Sequence, residues 1–235
     1  MAVPPPPVRA AIFDMDGLLV DSEPIWSAVT RELMAELGAD VATVLDTGLT
    51  KGMRVDESIA LFRTLAPFPG AGDPEAEAAL AQRIVRGVAM AITAGAQLMP
   101  GALGALDRLA DAGLVLALAS GSVPAVIDAV VDRFALRERF AVIRSASGVP
   151  LGKPHPEVFL ETAAALGLPP AACAVIEDSL NGCIAAKAAQ MRVIAVPAPA
   201  ERDDPRFALA DIVLDSLEAI GSPEVAELLG VATHR

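Results

Sequence analysis

Six short apolar runs recur along the chain, and none alternates apolar with polar residues: RAAIF (9–13), LVLALA (114–119), FAVIRS (140–145), CAVIE (173–177), MRVIAV (191–196) and DIVL (211–214). A strand with one wet face must alternate. Runs rich in Val, Ile, Ala and Leu that do not alternate are covered on both faces, as in a parallel sheet wrapped by helices. Each run is followed by a polar or glycine-containing turn, and segments 123–134, 157–166 and 181–189 have the length and spacing of amphipathic helices. The pattern predicts an α/β fold with a parallel sheet and helices on both faces. With 54% hydrophobic residues in 235, the chain can fill such a core.

One segment interrupts the alternation. Between Pro24 and about Leu98 three helical stretches follow one another, PIWSAVTRELMAELG, VDESIALFRTLA and PEAEAALAQRIVRGVAMAITAGA, separated by Gly38, Gly48, Gly52 and the turn cluster PFPGAGDP. The expectation is a core of residues 8–20 plus 98–235 and a helical cap of residues 21–97. The cap is placed over the C-terminal end of the first strand, where open parallel sheets bind ligands.

A net charge of -12 argues against nucleic acid or an anionic membrane as partner. A small phosphorylated metabolite is compatible if a metal ion, a lysine or a helix N-terminus offsets the local field. No apolar stretch reaches the roughly 20 residues of a membrane-spanning helix, and the segment MAVPPPPVRA lacks the features of a secretion signal, so a cytoplasmic location is expected. Pro4 to Pro7 read as an extended leader and His234-Arg235 as a loose tail. Cys173 and Cys183 have neither metal-ligand nor redox spacing and read as small buried residues.

The chemistry concentrates where the apolar runs end. Asp14 and Asp16 follow AAIF directly, with Gly17 after them to permit a tight turn. An Asx-type turn would use the same residues; a calcium loop would not, because Gly17 comes too early. Glu177-Asp178 closes CAVIE. Taken alone it also fits a solvated helix start. If the two strands are neighbours, four carboxylates converge, and two of them about 4 Å apart repel by roughly 4 kcal/mol at an effective dielectric near 20. A divalent cation relieves this, and an all-oxygen set without His or thiolate suits Mg²⁺. Ser120-Gly121-Ser122 ends the run LVLALA and opens a helix, offering a hydroxyl and free N–H groups to a phosphate, with Ser122 a candidate N-cap. Lys153 lies on a loop stiffened by Pro154 and Pro156, and His155 between them reads as structural.

The order DxD, Ser, Lys, ED resembles the haloacid dehalogenase superfamily, and the helical insertion after the first motif resembles its β-phosphoglucomutase-like subfamily. In AIFDMDGLLVDSEPIW, LALASGS, GKPHPEVFL, EDSLNGCIAAKAA and MRVIAVPAP the chain is similar to the bacterial hexitol and 2-deoxyglucose-6-phosphate phosphatases of that group. The resemblance implies a Rossmann-like core and an Mg²⁺-dependent phosphomonoester hydrolase acting through an aspartyl-phosphate. Asp14 would be the nucleophile and Asp16 the acid and base. Asp14, the Asp16 backbone carbonyl, Asp178 and Glu177, directly or through water, would hold Mg²⁺. Ser120, Gly121 and Lys153 would bind the phosphoryl group. Trp26, and Lys51 and Arg54 in the cap loop GLTKGMRVDES, are candidates for the sugar or polyol. A monomer is expected.

The subfamily's mutases place a histidine a few residues after DxDG and a cap-loop arginine for a second phosphate. Here Trp26 stands in SEPIWSAV, and Val55 occupies the arginine's place with Arg54 one position early. Both departures favour hydrolysis over a sugar-phosphate mutase. A phospho-accepting signalling receiver shares acids and a lysine on a parallel sheet, but would need neither Asp16 nor so large an insertion.

Overall fold

A computed structural model describes residues 6–231. The tail His234-Arg235 and the first half of the Pro4–Pro7 leader lie outside the described residues. The six apolar runs become six strands: β1 (Ala10–Phe13), β2 (Val115–Ser120), β3 (Val142–Ser145), β4 (Cys173–Glu177), β5 (Arg192–Ala195) and β6 (Ile212–Val213). All pair in parallel, in the order β3-β2-β1-β4-β5-β6. All four β1 residues are fully buried, as the missing alternation requires. Ala11 and Phe13 enter one apolar cluster, whereas Ala10 and Ile12 enter the other, on the opposite face. The fold is α/β with a Rossmann-like parallel sheet, and both of its faces are covered.

Four helices lie between β1 and the rest of the sheet: α1 (Glu23–Glu36), α2 (Ala42–Asp46), α3 (Val55–Leu65) and α4 (Pro74–Gly95). The short α2 is additional to the three expected stretches. The core helices are α5 (Ala102–Asp111), α6 (Pro124–Arg133), α7 (Glu157–Ala165), α8 (Leu180–Ala188) and α9 (Pro223–Leu229). Proline in the first turn starts α4, α6 and α9, a position where its missing N–H costs nothing.

The insertion shares its apolar core with one face of the sheet. Met34, Ile59, Phe62, Ile84, Val88 and Ile92 from the inserted helices belong to the same buried cluster as Phe13, Leu116, Leu118 and Ile176. Its two connections to the core run side by side: Asp21 N–H donates to Gln97 O and Met99 N–H to Leu19 O, both at 2.9 Å. Gly101, at φ 81°, then turns the chain into α5; a Cβ there would stand 2.4 Å from the Glu218 backbone nitrogen. Cys173 and Cys183 are buried and free. Among the described residues no helix is long and apolar enough to cross a membrane.

Candidate active site

The strand order puts β1 between β2 and β4, so Asp14, Ser120 and Glu177 leave the sheet side by side. Asp14 continues the ladder, its N–H donating to Ile176 O at 3.0 Å. Asp14, Glu177 and Asp178 each offer a carboxylate oxygen, all within 4.8 Å of one another, and all three residues are buried. Gly17 permits this approach: its φ is 78°, and a Cβ at that position would lie 2.3 Å from Asp178 Oδ2.

Lys153 enters the same cluster with its side chain fully buried. Its Nζ donates to Asp14 Oδ1 at 2.5 Å, to Glu177 Oε1 at 2.6 Å and to Ala119 O at 3.3 Å, with the Phe159 ring 5.0 Å away. Burial alone would lower the ammonium pKa, but Asp14 and Glu177 outweigh it and hold it above its ordinary value. Burial, opposed by Lys153 and reinforced by Glu177 and Asp16, pushes Asp14 up to about 8. Asp178 is raised by burial and by the charges of Glu177 and Asp14. One ammonium thus faces three buried carboxylates, and hard oxygen ligands with surplus negative charge fit a divalent cation.

Glu177 and Asp16 are placed differently. Both oxygens of Glu177 have protein partners: Oε1 accepts from Lys153, and Oε2 accepts from the Ser179 N–H and hydroxyl, each at 2.9 Å. Asp16 turns its carboxylate away from the acidic cluster. It accepts from Ser22 Oγ at 2.7 Å, Trp26 Nε1 at 3.0 Å, Ser122 Oγ at 2.8 Å and Ser120 Oγ at 3.2 Å. Its side chain is not among the three carboxylates that lie within 4.8 Å of one another.

A cavity opens over this face, lined by Asp14, Asp16, Trp26, Thr50, Met53 and Phe62 among others, with Gly121 and Ser122 on the core side. Trp26 therefore stands at the cavity. Lys51 and Arg54 do not line it, because protein acceptors take their charged ends. Lys51 Nζ lies 2.8 Å from Glu201 Oε2, and the Arg54 guanidinium is spent on Asp56 and on main-chain carbonyls of the 146–150 loop. The expected N-cap role of Ser122 also fails: α6 begins after Val123, and the Ser122 hydroxyl goes to Asp16. His155 lies outside the cavity, 3.7 Å from Glu157.

Sequence reasoning gave no role to Ser22, Ser179, Gly182 or Glu23. Glu23 lines the cavity, and burial followed by the charge of Asp16 pushes it up to about 7. Gly182 on α8 is where Glu177 passes: a Cβ there would lie 1.7 Å from Oε1. The available signal for these residues was position, one or two residues from a motif acid or in the first turn of the helix after it.

A parallel sheet with an inserted helical unit after β1 and this acidic, lysine-bridged site defines a class. The chain belongs to the haloacid dehalogenase-like hydrolases, whose family model matches residues 8–190. Within that class it is 40% identical over 221 residues to hexitol phosphatase B of Escherichia coli, covering 94% of this chain and 98% of that protein. It is 33% identical over 233 residues to the CbbY protein of Rhodobacter capsulatus, covering 94% and 99% of the two chains. The crystal structure of CbbY from Rhodobacter sphaeroides in complex with phosphate superposes with a TM-score of 0.81 at 30% identity, covering 91% and 96%. A β-phosphoglucomutase of Clostridium difficile has the same TM-score at 23% identity, a likeness of fold alone.

Proposed function

We propose that the chain is a phosphomonoester hydrolase acting on hexose or hexitol 6-phosphates, with residues 21–97 as a cap over the catalytic face of 8–20 and 98–235. The reading rests above all on Asp14, buried against Lys153 inside the acidic cluster and flanked by Asp16 in a different environment. Two carboxylates on one turn, one facing cation ligands and the other facing hydroxyl and indole donors, suit one group for attack and the other for proton transfer.

Lys153 holds Asp14 Oδ1, which leaves Oδ2 to attack phosphorus. The bond from phosphorus to the sugar oxygen breaks as Asp16 gives that oxygen a proton. The aspartyl-phosphate is then hydrolysed by water, from which the Asp16 carboxylate takes a proton, and Asp14 is regenerated as inorganic phosphate leaves. Lys153, Ser120 and the Gly121 N–H bind the phosphoryl oxygens. Glu177 keeps Lys153 in place. Asp14, Asp178 and the Asp16 carbonyl, with Glu177 directly or through water, would hold Mg²⁺, which would offset the charge shared by the carboxylates and the phosphoryl oxygens.

The test is phosphate release with Mg²⁺ from a panel of sugar, polyol, nucleotide and glycolate phosphates, on the native protein and on Asp14→Asn. Turnover of hexose or hexitol 6-phosphates that disappears in the variant is expected. Isomerisation of β-glucose 1-phosphate with little phosphate released would replace this reading by a mutase.

A further inference from the structure

Arg54 and Glu57 stand at the start of α3, and both reach out of the helical insertion to one core loop, residues 146–152, immediately ahead of Lys153. The Arg54 guanidinium donates to Val149 O at 2.7 Å and to Ala146 O and Pro150 O at 3.4 Å. Asp56 pairs with it on the solvent side, and the Arg54 side chain is only 15% exposed. Glu57 Oε1 accepts the Gly152 N–H at 2.9 Å, while Oε2 accepts the Arg54 N–H at 3.2 Å. The fit is close: a Cβ on Gly152 would lie 2.5 Å from Glu57 Oε2 and 2.9 Å from Arg54 Cγ. The segment pinned in this way, residues 50–58, supplies Thr50, Met53, Val55 and Ser58 to the cavity wall opposite the catalytic turn.

We propose that Arg54 and Glu57 are positioning residues that latch this wall onto the Lys153 loop. A substrate long enough to touch the wall needs the latch, and a short phosphoryl donor does not. The proposal rests on the phosphohydrolase reading above and adds to it a division of labour. Arg54, which the sequence offers as a contact to the sugar, serves the sugar through the wall it holds. Charge-assisted hydrogen bonds from a guanidinium to carbonyl oxygens and from a main-chain amide to a carboxylate are strong enough for this, and a half-exposed ion pair is not. Lys51 adds a separate seat: its carbonyl accepts from Asn181 Nδ2 at 3.0 Å, so removing one latch residue loosens the wall without detaching it.

The test uses Arg54→Ala, Arg54→Lys and Glu57→Gln with sorbitol 6-phosphate and acetyl phosphate as substrates. Arg54→Ala and Glu57→Gln should lower kcat/KM for sorbitol 6-phosphate about tenfold, mainly through KM, since one or two such hydrogen bonds are at stake. Acetyl phosphate turnover should stay within about twofold of native, and Arg54→Lys should recover most of the loss. Equal losses on both substrates, or none on either, would overturn the latch. Should a variant fold poorly, amide exchange on the native protein decides: inorganic phosphate with Mg²⁺ should slow exchange in 53–58 and 146–152 together, and protection of one segment without the other would also overturn it. Asp14→Asn separates the two levels. Its retention of activity would sink the phosphohydrolase reading, and the exchange measurement would still decide the latch.

Discussion

Replacing Lys153 by methionine keeps the buried stem and removes only the ammonium. The side chain is completely enclosed, and Nζ lies 2.5 Å from Asp14 and 2.6 Å from Glu177. Without it, carboxylate oxygens within 4.8 Å of one another face each other unscreened. At that separation two unit charges repel by about 3.5 kcal/mol at an effective dielectric of 20. Breaking a buried pair from one side typically costs about 3–5 kcal/mol, because the remaining charge has no partner. Lys153→Met should therefore lose about 4 kcal/mol in the metal-free protein, or about 10 °C in Tm for a chain of this size. Urea unfolding in EDTA at pH 8.5, where Asp14 is largely ionised, measures it. Adding Asp14→Asn should return at least about 1 kcal/mol by removing one of the stranded charges. The cost should shrink at pH 6, where the protonated Asp14, with its pKa near 8, no longer needs the ammonium. A loss under about 1 kcal/mol, or further destabilisation on adding Asp14→Asn, would refute the argument.

Raised carboxyl pKa values at Asp14 and Asp178 mean that the metal-free folded state holds protons the unfolded chain has released, so its stability should fall as pH rises from about 4 towards 8. Mg²⁺ bound there would compete with those protons, so any Tm increase it gives should be larger at pH 8 than at pH 6; an increase independent of pH would contradict this. Trp26→Phe removes one donor to Asp16. It should slow aspartyl-phosphate formation from sorbitol 6-phosphate by up to about tenfold and spare its formation from acetyl phosphate, whose leaving group needs no proton; an equal loss in the single-turnover rates of both would argue against Asp16 as the acid. Gly182→Ala should destabilise by about 2–3 kcal/mol as its Cβ displaces Glu177, measured by thermal unfolding. Gly104→Ala on α5, where a Cβ meets nothing within 4 Å, should instead stabilise by about 0.5–1 kcal/mol.

The strands were legible because burial on both faces imposes a one-dimensional signature: CAVIE matches β4 residue for residue, and the other runs are within two residues at each end. The helices α2 and α9 went unremarked because they are short, of five and seven residues, whereas α5, of ten, is as long as helices that were anticipated. The core motifs were readable for a related reason, since the first polar residue after a buried parallel strand lies at the catalytic edge wherever the chain goes next. The partners of Lys51 and Arg54 were not legible because a long cation on a loop takes the best acceptor in reach, and which acceptors those are depends on how the insertion sits on loops 92 or more residues away. Asp16 and Glu177 look alike in sequence, each an acid beside another acid. Their partners, hydroxyls and an indole in one case and a lysine with a helix start in the other, separate them only in three dimensions.

The strand that ends at Asp14 lies in the middle of the sheet, with its hydrogen-bonding edges given to strands whose sequence positions are more than 100 residues later. Asp14 meets Lys153 across 139 residues, and Asp16 meets Ser120 across 104. Such distant closures are costly in chain entropy and slow to find. A growing chain on the ribosome therefore carries both motif aspartates from its first moments yet has no site, because the cation that organises them is made much later. Recovered turnover after dilution from urea should trail the recovery of helical signal, making the reaction itself a reporter of when β4 has docked against β1.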